Sequence, residues 1–98
     1  MTNHMNSPKI KKALEAYRAA KAEFDVKQAA LVEHIEHNPI RGLSWEESYR
    51  RDHLTFKMKE AQSAKNVAEW EASTALRAYY KGKLSNREIM NIVATALL

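Results

Sequence analysis

Five consecutive residues, Glu33-His34-Ile35-Glu36-His37, form the densest set of potential metal ligands in a chain of 98 residues. Three apart on a helix, His34 and His37 share a face and, with a neighbouring carboxylate, present donors suited to a divalent cation. The order is not that of an HExxH zinc site, and no third strong ligand is fixed beside them. The pair is therefore read as the end of a solvated helix, where basic side chains complement the dipole. Nucleophilic or acid–base chemistry would need a carboxylate pair or a Ser/His/acid set held in a pocket. Serines stand at positions 7, 44, 48, 63, 73 and 85, and three of them are explained as helix caps. Two glycines leave no material for a phosphate-cradling loop, and the absence of cysteine removes thiol chemistry, disulfides and zinc ribbons. A hairpin of this size also has no obvious cleft of the several hundred Å³ that a substrate needs. The expectation is a non-enzyme with no cofactor, metal or small-molecule substrate.

Charge and aromatics point to partners instead. Sixteen Lys+Arg face twelve Asp+Glu, for a formal charge of +4 and a pI of about 9.4. Segment by segment the excess is spread evenly, so no basic arm stands out. Local clusters do: Lys9/Lys11/Lys12, Arg50/Arg51, and Lys81/Lys83/Arg87 beside Tyr79 and Tyr80. Basic residues interleaved with aromatics serve phosphate contact and base stacking, which makes Tyr79, Tyr80, Lys81, Lys83 and Arg87 candidate nucleic-acid contacts. A second constellation, Trp45, Tyr49, Arg50 and Arg51 near Ile40 and Arg41, has the aromatic-plus-arginine composition of an interface centre. Its competing reading is that Trp45 and Tyr49 close a helical hairpin against Leu31 and Ile35.

The elements that position these residues are three capped helices. Ser7-Pro8 reads as an N-cap with proline at the first helical position, after which Ile10, Leu14, Tyr17, Lys21, Phe24, Gln28, Leu31 and Ile35 alternate threes and fours up to Asn38-Pro39. Lys21 and Gln28 imply a seam partly open to water. Ser44-Trp45-Glu46-Glu47 is a capping box opening a helix that meets no proline or glycine before Gly82. That helix has two apolar rows: Trp45, Tyr49, Phe56, Val67, Trp70; and Leu54, Met58, Ala61, Ala68, Ala72, Ala75, Tyr79. Ser85-Asn86-Arg87-Glu88 caps a third helix bearing Ile89, Ile92, Val93, Ala96 and Leu97. The fold expected is all-α: a long antiparallel helical hairpin, about 8–37 and 44–81, with a short C-terminal third helix, about 85–97. Residues 8–98 form one helical domain and residues 1–7 a flexible N-terminus, with Met5 an alternative start. Fifteen of the 44 hydrophobic residues are alanine, so the core is thin. Self-association through the alanine row or the Ile89–Leu97 face is expected to supplement it.

Two resemblances bear on function. The segment Gly82-Lys83-Leu84-Ser85-Asn86-Arg87-Glu88-Ile89-Met90 resembles the first helix of the LuxR/GerE-type helix-turn-helix. No recognition helix follows it, and the match is read as a shared way to start a helix. With LEAYRAAKAEFDVKQAAL, WEESYRRDHL and EWEASTALRAYY, the whole chain resembles the small cysteine-free helical accessory proteins of lambdoid phages, in particular those that bind the host RecBCD nuclease-helicase. That resemblance implies a non-enzymatic modulator of a host DNA-processing enzyme, cytoplasmic, partnered by a host protein or a second copy. A small basic nucleic-acid-binding protein and a structural coiled-coil oligomer are the alternatives. No membrane partner is expected, since no apolar run approaches the length of a span.

Overall fold

The computed structural model describes residues 4–38 and 43–96. Ile40, Arg41 and Leu97, which the sequence places in the connection and on the third helix, lie outside them. The order is a 3-10 turn at His4–Asn6, then α1 (Pro8–His37), α2 (Trp45–Tyr80) and α3 (Asn86–Thr95). No strand occurs among the described residues. The fold is the expected hairpin of two long helices with a short third helix.

Local chemistry sets each boundary. The Ser7 hydroxyl accepts the Ile10 N–H at 3.5 Å, with Pro8 supplying the first helical turn. At α2 and α3 the caps are reciprocal. Glu47 N–H donates to Ser44 Oγ at 3.1 Å while Ser44 N–H donates to Glu47 Oε2 at 3.3 Å. The same exchange joins Ser85 and Glu88. Two consecutive left-handed residues, Lys81 (φ 51) and Gly82 (φ 79), end α2 and reverse the chain into α3. Glycine adopts that conformation without penalty, whereas for Lys81 it costs about 1–2 kcal/mol.

The hairpin is antiparallel, and pairs across it give its register: Tyr17 faces Glu69, Phe24 lies under Lys65, and His34 meets Arg51. The main core lies at the open end, where Ile10, Leu14 and Tyr17 of α1 meet Ala72 and Leu76 of α2 and Ile89 and Val93 of α3. Ala72 and Leu76 are wholly inaccessible, so the small side chains let α1 and α2 approach closely. Toward the connection the core narrows to Phe24, Leu31 and Ala61. There Lys21 and Lys65 hold their ammonium groups 5.3 and 5.0 Å from the Phe24 ring centroid. Lys21 is one of the two polar interruptions that imply a wet seam, and its ammonium group sits over the ring; Gln28, the other, is exposed. The whole is a rod of 60 × 21 × 19 Å.

Four points bear on the expectations. The alanine row and the Ile89/Val93 face are both packed within one chain. The last buried position of α1 is His34, not Ile35, which is 47% exposed. At 100° per residue Ile35 stands at the azimuth of buried Tyr17, so the change comes from the line of contact with α2 winding around α1 toward the connection. Residues 4–6 form a 3-10 turn that touches the end of α2. His4 Nδ1 lies 2.6 Å from the Tyr80 hydroxyl, with the rings edge to face. Finally, three open grooves of about 400–440 Å³ run along the helix seams, where no cleft was expected. Three rounded cylinders cannot close against each other without leaving such furrows.

Candidate interaction surface

With Leu54, Met58, Ala61, Ala68, Ala72 and Ala75 turned toward α1, the other apolar row of α2 lies on the opposite side of the helix. Trp45 (80%), Tyr49, Phe56, Val67 and Trp70 (65%) are all exposed. At 100° per residue these five fall within an arc of about 60°, strung over about 38 Å of helix. Asp52, Lys59 and Ser63 interrupt the row. Trp45 and Tyr49 stack on each other with centroids 5.8 Å apart and planes 20° from parallel. They do not close the hairpin against Leu31 and Ile35. Four aromatics of about 150–250 Å² each, mostly uncovered, exceed the few hundred Å² of apolar patch that a typical monomer shows. Together they approach the roughly 800 Å² per partner of a standard interface.

Of the residues the sequence groups with that row, the arginines diverge. Arg50 is exposed. Arg51 turns inward: its Nε donates to His34 Nδ1 at 3.5 Å and its Nη2 donates to the Asn38 carbonyl. Arg51 thus ties the end of α1 to α2 and is a fastener of the hairpin, not a surface anchor. His34 is 8% exposed, with no hydrogen-bond partner for its Nε2 among the described residues. It is no part of a solvated terminus. His37 remains exposed, its Nδ1 2.9 Å from the Glu33 carbonyl. Arg41 lies outside the described residues. Among the described residues no three His, Asp or Glu side chains converge to hold a metal ion. The groove beside His34, lined also by Glu33, His37, Glu47 and Arg50, brings together carboxylates, imidazoles and a guanidinium without a hydroxyl or thiol among its lining residues.

The second constellation also separates. Tyr79 and Tyr80 are half-buried and pack edge to face on each other, centroids 5.0 Å apart, so they are not stacking platforms. Lys81, Lys83 and Arg87 are exposed around the α2–α3 turn. The antiparallel fold brings Lys9, Lys11 and Lys12, at the start of α1, to the same end of the rod. Residues 4–22 and 66–96, which form that end, hold nine Lys+Arg and four Asp+Glu. Residues 23–65 hold seven and eight. A charge excess that is even along the sequence is thereby concentrated at one pole. Sequence reasoning missed this because it counted within helices; pairing the start of α1 with the end of α2 would have found it.

Among the described residues no helix is long and apolar enough to cross a membrane. Comparison with protein-family models, curated proteins and solved structures gives no match.

Proposed function

We propose that the protein is a non-enzymatic interaction protein that docks through the outer face of α2 onto a host protein and changes its activity. The observation that carries this reading is the row Trp45, Tyr49, Phe56, Val67 and Trp70, exposed on the side of α2 turned away from the core. Apolar side chains kept in water contribute nothing to the fold, and a row of them has the composition of a binding hot spot. The resemblance of the chain to phage proteins that bind the RecBCD nuclease-helicase makes that enzyme the partner to test.

The test measures degradation of linear duplex DNA by purified RecBCD with increasing amounts of the protein. The native chain is expected to change the rate at saturable stoichiometry. A Trp45→Glu, Trp70→Glu variant keeps its helicity and binds more than tenfold more weakly, about 1.4 kcal/mol. An unchanged rate at all concentrations would remove RecBCD as the partner, and full activity of the double variant would remove the face. If sedimentation shows a dimer that the double variant abolishes, the occupant of the face is a second copy.

A further inference from the structure

We infer that the open end of the hairpin is a second, independent site, one that binds the phosphate backbone of duplex nucleic acid without reading its sequence. Six exposed cations from three elements lie at this end: in the first turns of α1, Lys9 and Lys12 on the groove toward α2 and Lys11 on the groove toward α3; Lys81 and Lys83 at the α2–α3 turn; and Arg87 in the first turn of α3. Among the described residues the ion pairs are Lys21–Asp25 and Lys27–Glu23, and none of the six cations takes part in them.

Two local choices at this end run against the helix itself. The first turn of α1 holds lysines and no acidic residue, although unpaired N–H groups there favour negative charge. Lys81 stands in the left-handed region at φ 51, where glycine would be relaxed. A local conflict with the fold that leaves a positive charge facing solvent is a sign of use elsewhere. An anion resolves the first conflict, since the lysines and the helix N-terminus then act on it together.

The same end discriminates among anionic macromolecules. Tyr79 and Tyr80 are committed to each other and to His4, which leaves no stacking platform for single-stranded bases at the α2–α3 turn. Among the described residues of the turn and α3, Met90 is the large apolar side chain that reaches 37% exposure, too little to wedge into a lipid surface; Trp70, 65% exposed, borders Lys9 and Lys12 on the α1 side. Cations around the turn with no exposed ring among them suit phosphates on a rigid duplex. The rod is 21 × 19 Å across, wide enough to reach the phosphates on both sides of a major groove about 12 Å wide.

Anisotropy of a labelled mixed-sequence duplex, titrated with the full chain at 50 mM salt, tests this. Binding is expected for unrelated sequences alike. With four phosphate contacts, affinity falls about a hundredfold by 200 mM. Lys9→Glu with Lys12→Glu suits the α1 dipole and should leave the protein folded while binding drops at least tenfold. Lys81→Gly should weaken binding without lowering the melting temperature. Trp45→Glu with Tyr49→Glu, at the far end of the rod, should bind DNA as the native chain does, which separates this site from the docking face. No anisotropy change at 50 mM salt would overturn the inference. So would equal or tighter binding of a single strand of the same length, preference for phosphatidylserine vesicles over duplex, or undiminished binding by the lysine variants.

Discussion

Arg51 and Arg50 are adjacent in the sequence and opposite in role. Removing the Arg51 guanidinium strips the Asn38 carbonyl and His34 Nδ1 of a shared donor. Leaving such groups unpaired costs about 1–3 kcal/mol. Thermal melting of Arg51→Ala should therefore fall by several degrees, a chain of this length losing about 4–8 °C per kcal/mol. Arg50→Ala should stay within about 0.5 kcal/mol. Equal melting of the two variants would contradict the fastener role. Tyr17 gives a pH signature. Burial raises its phenol above the ordinary 10.0, the Glu69 carboxylate adds to this, and Lys21 opposes it. A folded-state value above the unfolded one means the neutral phenol's contribution is complete below pH 10 and lost as the pH rises through the folded value. Alkaline melts above pH 10 should show Tyr17→Phe losing less stability than the native chain. At this scale the sequence is legible only in part. Heptad spacing marks Ile10, Leu14, Tyr17, Phe24 and Leu31 as buried. It does not resolve whether Ile35 or His34 comes next, because a small rotation of the helix decides it.

The elements are the most legible level, because their limits are local. Ser7, Ser44 and Ser85 each accept a backbone N–H from three residues ahead, and their neighbours in sequence already specify that. Replacing Ser85 with alanine removes the cap of a ten-residue helix and should cost about 1 kcal/mol. The loss should appear as faster amide exchange in α3 before α1 is affected. Less legible was which of the two apolar rows of α2 meets α1. Size argues for the aromatics, since they bury more area; close approach argues for the alanines. The alanines lie inward because α1 brings Leu14, Tyr17 and Phe24, whose bulk needs small residues opposite. Ala72, fully buried, is the tightest point. Ala72→Leu should overpack the seam and cost about 1–3 kcal/mol by denaturant unfolding, whereas an equal change at exposed Ala64 should be silent.

At the scale of the whole molecule, the rod has three regions: a packed open end bearing the positive charge, a thinner seam toward the connection, and an apolar outer face on α2. The charge polarity was hidden in the sequence because its two halves, near residues 9–12 and 81–87, are some 70 residues apart and join only when the hairpin closes. The outer face was visible as a row but not as a surface, since nothing local distinguishes an apolar stripe awaiting a partner from one packed at home. Trp45 and Trp70 are the two tryptophans of the chain and stand at the two ends of that face, so a tryptophan label reports on both of its ends. The most direct measurement is fluorine NMR of the protein carrying 5-fluorotryptophan, alone and with unlabelled RecBCD. Both resonances should show the solvent-isotope shift of exposed indoles in the isolated protein, and both should shift or broaden when the enzyme is added. Resonances that lack the isotope shift in the isolated protein, or that stay unchanged at saturating enzyme, would contradict the account.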